Sequence, residues 1–188
     1  MFVANPAVTL TVREEMLLKM LQKEYTPDLL SRVLLPLLEQ TSPVSLRALD
    51  WAVVNWSKQH NVVCSSQVPG RMVNVHQAYR NSLGYWKRKL FDPFRRRDRL
   101  HVIIDGVSHE TTLGQANFAL FTYKTGIFAY VLHNIDMIEA DMNSVSQQQK
   151  RARRDAAKQG KRKARTELTR ETNTPCIAYS SPVTFRFD

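Results

Sequence analysis

Only six of the 188 residues are glycine and only two are cysteine, and the five histidines show no paired metal-ligand spacing. With so little glycine there is no loop that could cradle phosphates; Gly114 stands alone at a helix start. Cys64 and Cys176 are too few for a disulfide framework and fit a reducing compartment. His60 and Cys64 form a pair without third and fourth ligands, so no metal or other cofactor is expected. The longest apolar runs, 33–38 and 116–120, fall far short of the roughly 20 residues a bilayer crossing needs. Nothing after Met1 has the charged and then apolar layout of a signal peptide. The expectation is a soluble protein with no membrane span.

Catalytic constellations are equally scarce. Ser108-His109-Glu110 holds suitable residue types in a row, but neighbours on a strand point to opposite faces and form no relay. Asp98, His101 and Asp105 can meet around a hairpin, yet a surface histidine near an aspartate is common without chemistry. The chain reads as a non-enzyme with no small-molecule substrate.

What the sequence does have is positive charge in two places. Residues 150–165 carry nine Lys or Arg and one acid, Asp155, giving +8 of a net +10. Residues 87–99 carry seven basic residues against Asp92 and Asp98, giving +5 and leaving −3 for the rest. Two local patches on an otherwise slightly acidic chain imply an anionic partner, either nucleic-acid phosphates or an acidic protein surface.

Hydrophobic material is ample for a core, at 43%. The fold class expected is mainly α with a small β component (α+β), in three parts: a helical domain over 1–90, a hairpin plus two-helix unit over 91–145, and a basic helix with an extended arm over 146–188. In the first part, Thr11 with Glu14 makes a capping box ahead of the face Val12, Met16, Met20, Leu17 and Leu21. Thr26-Pro27 starts a second helix, over 29–39, which Pro36 should kink or end. Ser42-Pro43 repeats that start signal before Leu46, Leu49, Val53 and Trp56, with Trp51 on the flank. Residues 61–70 read as a loop with an extended piece at 62–64. A fourth helix takes Val75, Tyr79, Leu83, Trp86 and Leu90 inward, with Lys87, Arg88 and Lys89 in its last turn.

Beyond the turn Phe91-Asp92-Pro93-Phe94, a strand at 100–104, the turn Asp105-Gly106 and a return at 107–110 predict a hairpin. Phe91 and Phe94 are expected to anchor their turn in the core while the neighbouring arginines pair with acids. Thr112 and Gln115 open a helix through Phe118 and Phe121 that Gly126 closes. Phe128, Val131, Leu132, Ile135 and Ile138 mark the next helix, whose apolar stripe fades near Met142 as the chain runs into charge. Residues 174–188 alternate Val183, Phe185 and Phe187 with polar residues, the pattern of an edge strand or strand-addition arm.

On a helical wheel of about 100° per residue, Lys150, Arg154, Lys158, Arg151, Lys161 and Arg165 fall within about a third of a turn, with Arg153 and Arg162 at its borders. A run of this kind is often only a solvated face. Here the near-absence of acids argues for a bound anion, because like charges four residues apart destabilise an isolated helix. Arg95, Arg96, Arg97 and Arg99 form the second candidate set. The spacing of Lys150-Arg151 and Lys161-Arg162-Lys163 also resembles a bipartite nuclear-import signal.

Phe91-Asp92-Pro93-Phe94-Arg95-Arg96-Arg97, then Thr111-Thr112-Leu113-Gly114-Gln115-Ala116-Asn117-Phe118, Asp141-Met142-Asn143 and Arg165-Thr166-Glu167-Leu168-Thr169 resemble small, basic, largely uncharacterised proteins of nucleocytoplasmic large DNA viruses. The resemblance covers residues 91–188. It implies a virion or virus-factory protein with no known catalytic residues; the expected location is the virion, after synthesis in the host cytoplasm or virus factory, with nuclear entry open through the basic pairs alone. Joined to the charge pattern, it leads to the expectation of a minor capsid (cement) protein that contacts viral capsid proteins, the major shell protein among them. The alternative is a sequence-independent nucleic-acid-binding protein that condenses viral DNA or acts in viral transcription.

Overall fold

The computed structural model describes residues 2–4, 9–94, 96 and 99–158. It is mainly helical with two small antiparallel sheets, the α+β class read from the sequence. Residues Met1–Ser146 make one compact unit and Gln147–Asp188 a second.

Strand β1 (Phe2–Ala4) leads to helix α1 (Val12–Glu24), whose capping box is complete: the Thr11 hydroxyl accepts from the Glu14 N–H, and the Glu14 carboxylate accepts from the Thr11 N–H. Thr26 and Pro27 start α2 (Pro27–Leu29), which continues through a π turn at Leu30–Leu34 into α3 (Leu35–Glu39). Pro36 therefore does not end the helix. The wide turn bonds the Leu35 N–H to the Leu30 carbonyl just before Pro36, which sits in the first turn of α3, where a missing N–H costs least. The helix stops instead at Gln40, which takes the left-handed conformation with φ 59°.

Helix α4 (Leu46–Trp51) begins three residues later than Ser42-Pro43 suggests, capped by Ser45. The Ser42 hydroxyl accepts from the Val44 N–H instead, spending its capping capacity on a tight turn. A second π turn at Ala52–Trp56 joins α4 to α5 (Ser57–Gln59). Part of the expected loop at 61–70 is a hairpin, β2 (Val63–Ser65) paired with β3 (Met72–Asn74). Helix α6 (Val75–Trp86) ends before the basic triplet: Lys87 has φ 64°, and a short 3-10 turn takes Arg88–Leu90. Lys87, Arg88 and Lys89 thus lie outside α6, and its dipole does not account for them.

Asp105 and Gly106 both have positive φ, 50° and 80°, as a two-residue hairpin turn requires, and they join β4 (Leu100–Ile104) to β5 (Val107–Thr111). Strand β1 pairs with the other edge of β4, Phe2 opposite Val102, giving the order β1-β4-β5. This sheet carries the chain's first residues into the part expected to begin at residue 91. The division expected at residue 90 accordingly falls inside a single core that draws on both sides of it.

At the centre lies α7 (Leu113–Lys124), capped by Thr112 and buried at every position from 113 to 120. Its polar residues have partners: Asn117 Nδ2 donates to the Leu90 carbonyl at 2.8 Å, and the Tyr25 hydroxyl reaches the Ala116 carbonyl at 2.8 Å. A Cβ on Gly114 would sit 3.0 Å from the Lys89 carbonyl and the Asp92 N–H, so glycine is what lets α7 approach the 3-10 turn. Phe91 packs edge-on against Phe118 and Phe121, with centroids at 5.7 and 5.1 Å. Phe94 does not join them; it is half-buried, with the Arg96 guanidinium 4.7 Å from its ring centre.

Gly126, at φ 76°, closes α7. A side chain there would run into the Ser65 carbonyl oxygen. The single helix expected next is two, α8 (Ile127–His133) and α9 (Ile135–Lys158), separated at Asn134. Within α8, Ile127 and Val131 are fully buried, while Leu132, one position and about 100° further round, is 42% exposed.

Candidate anion-docking surface

Helix α9 changes character along its length. Ile138 and Met142 are buried, and Asp141 accepts a 2.8 Å hydrogen bond from the Trp51 indole, so the helix starts firmly anchored. Its early acids, Asp136, Glu139 and Asp141, give way to Lys150, Arg151, Arg153 and Arg154. Every residue from 147 to 155 is exposed. Asp136, in the first turn of α9, suits the helix dipole.

None of Lys150, Arg151, Arg153 and Arg154 has an ion-pair partner among the described residues. Lys158 closes α9, and Lys161, Arg162 and Arg165 lie outside the described residues, as does the arm with Val183, Phe185 and Phe187. On the described cations alone, the arrangement is a solvated cationic helix end with its charge uncompensated.

The second cluster is built differently. Lys89 Nζ lies 2.7 Å from Glu14, a carboxylate only 6% exposed. Burial pushes the Glu14 carboxyl up, but hydrogen bonds from Lys89 and from the Thr11 backbone and hydroxyl outweigh it and hold the group below the usual range. Arg96 pairs with Asp92 at 3.7 Å, and Arg99 with Glu110 at 2.8 Å. Arg95 and Arg97 lie outside the described residues. Lys89, Arg96 and Arg99 thus face acids of their own chain, for the two arginines the pairing the turn residues suggested.

A family model described as "Family of unknown function (DUF7197)" matches residues 2–185. The chain belongs to this family. An uncharacterized protein of Acanthamoeba polyphaga mimivirus is 29% identical to it over 134 residues, 67% of this chain and 52% of that protein. The chain therefore spans about half the length of this curated relative. No solved structure matches.

The remaining candidates of this DUF7197 chain are structural in their contacts. Ser108 Oγ and His101 Nδ1 lie 3.3 Å apart across the β4–β5 ladder, while His109, on the opposite face, approaches Glu39 at 3.7 Å. Asp105 accepts from the Ser31 hydroxyl at 3.4 Å, and Asp98 lies outside the described residues. His60 stacks on Trp56 at 3.8 Å, and Cys64 is buried on β2, where burial pushes its thiol up. Among the described residues no group of three or more His, Cys, Asp or Glu is placed to hold a metal ion, and no helix is long and apolar enough to cross a membrane.

Sequence reasoning missed a third charged group. Asp50 on α4, Tyr79 on α6, Arg88, Asp92 and Arg96 lie close enough to influence one another. Burial raises the Asp50 carboxyl, Asp92 raises it further, and Arg96 and Arg88 oppose both. The residues are 46 positions apart at the extremes, so no local pattern brings them together.

Proposed function

We propose that this DUF7197 member is a non-enzymatic structural protein of a large DNA virus particle, made in the host cytoplasm or virus factory. It acts as a minor capsid (cement) protein, docking through the basic end of α9 on an acidic surface of the major shell protein or another minor protein. The observation that carries this reading is the set of exposed cations Lys150, Arg151, Arg153 and Arg154, without ion-pair partners among the described residues, on a helix anchored by Ile138 and Met142. A cationic helix end gains from a docked anion, because its like charges are otherwise offset only by solvent and salt. The mimivirus relative supplies the viral setting. Val183, Phe185 and Phe187 are assigned to a strand-addition arm on the alternation of the sequence.

The second reading, sequence-independent binding of viral nucleic acid, is favoured by the make-up of the same helix end. Three of its four cations are arginines, whose planar donor fork suits phosphate. One experiment separates the two: DNA binding across a salt series, wild type beside a variant carrying Arg151→Gln, Arg153→Gln, Arg154→Gln and Lys158→Gln. Weak binding at physiological salt, equal in both proteins, supports the capsid reading. Tight binding with a steep salt slope, lost in the variant by on the order of 100-fold, replaces it with the nucleic-acid reading.

A further inference from the structure

A cavity of about 670 Å³ opens between the α3–α4 connection, Phe94, the start of β4 and the first turn of α7. That volume lies inside the roughly 300 to 1,000 Å³ range of small-molecule sites. Leu37 and Val44, at 3% and 0% exposure, and half-buried Leu46 and Phe94 give it an apolar wall. Every polar residue of its lining can donate, and no carboxylate is among the described residues that line it.

Three of those donors matter most. Arg47 is exposed and has no ion-pair partner among the described residues. Arg99 spends one guanidinium nitrogen on Glu110 at 2.8 Å and keeps its other N–H groups. Gln115 is buried to 1% exposure, and its Oε1 accepts from the Thr111 hydroxyl at 3.1 Å, which directs the amide edge of its side chain away from Thr111. The hydroxyls of Ser42 and Ser45 accept from the Val44 and Ala48 N–H groups and retain their own protons to donate.

We propose that this cavity binds a small organic anion, its phosphate or carboxylate held by Arg47, Arg99 and Gln115 and its apolar body against Leu37, Val44, Leu46 and Phe94. This proposal does not depend on the reading of the α9 cations. Two guanidinium groups beside an apolar wall select for a ligand with both features, because a bare inorganic ion would leave the wall wetted and a neutral apolar molecule would give the two guanidinium groups no anion to bind.

The test is calorimetric titration of the full chain with adenosine monophosphate and with decanoate, each beside its neutral counterpart, adenosine or decanol. One of the two anions is expected to bind one-to-one with Kd below about 1 mM, and its neutral counterpart at least about tenfold more weakly. Arg47→Gln should weaken it roughly tenfold, and Lys19→Gln, on the exposed face of α1, should leave it unchanged. Ser42→Asp keeps an acceptor for the Val44 N–H but sets a carboxylate in the lining; it should abolish binding with the circular dichroism spectrum intact. A nucleotide preference names the phosphate source and a decanoate preference the carboxylate source. No heat from either anion, equal binding of the neutral compounds, or an Arg47→Gln protein that binds like wild type would overturn the proposal.

Discussion

The two basic clusters look alike as sequence and differ in what surrounds them. Within 87–99, Lys89 and Arg99 meet carboxylates from other elements: Glu14 in the first turn of α1, and Glu110 on β5. The end of α9 meets no such acid among the described residues. A dense run of Lys and Arg therefore identifies positive charge but not its use. The use depends on whether folding delivers acids to it, which is a tertiary property. The 87–99 cluster, first along the chain, fastens the fold, and the described cations of α9 stay exposed.

The comparison predicts opposite responses to charge removal. Lys89→Ala leaves Glu14 buried beside the Leu17 and Leu21 side of α1 with one partner gone, and should cost about 2 kcal/mol, below the range for a fully buried pair because Lys89 is half exposed. The quadruple Gln variant of α9 should shift stability by less than about 0.5 kcal/mol, since Arg151, Arg153 and Arg154 are exposed and have no ion-pair partner among the described residues. Urea unfolding of both proteins checks this, and equal losses would erase the distinction between the clusters.

Glu14→Gln probes the same pair from its acidic side, with an expected loss of about 1 to 2 kcal/mol at neutral pH. The sign of its pH dependence is fixed. The folded-state pKa of Glu14 is lowered, so its contribution is present above the unfolded-state pKa and is lost as pH falls through the folded one. The wild-type and variant stability curves should therefore converge in acid and separate toward neutrality. Curves that remain parallel across that window would mean that the Glu14 charge plays no part. Third in size is Arg99→Gln, which breaks an exposed pair with Glu110 and should cost about 0.5 kcal/mol or less, fading in high salt.

Sequence reading recovered the features written within a few residues of one another. Thr11 with Glu14, Thr26 with Pro27, Thr112 with Gln115 and Asp105-Gly106 each encode a cap or a turn in their own local chemistry, and each is found where expected. What escaped depends on remote partners. Phe2–Ala4 is too short to show a strand pattern and becomes one only beside β4; the β2–β3 hairpin lacks a two-residue turn signal because six residues separate its strands. The two π turns follow from packing, not from propensity. At the site level, the α9 cations were legible because charge density needs no partner to be seen. The Glu14–Lys89 pair, 75 positions apart, and the cavity around Gln115 were not.

The smallest effect tests the first cluster where its pairing is imperfect. Asp50 and Asp92 share the influence of Arg88 and Arg96, and burial makes Asp50 the weaker competitor for its charge. Its folded-state pKa is raised, so the proton it binds favours folding below the unfolded-state pKa, and that advantage disappears as pH rises through the folded value. At neutral pH the ionised carboxylate is a small burden. Asp50→Asn should then stabilise the protein by a few tenths of a kcal/mol, about 0.3, at pH 7, and give no gain at a pH low enough to protonate the wild-type group. Thermal unfolding at the two pH values reads the difference. A loss at pH 7 would mean that Asp50 is a true partner of the arginines, and that the cluster uses its carboxylates more fully than their burial implies.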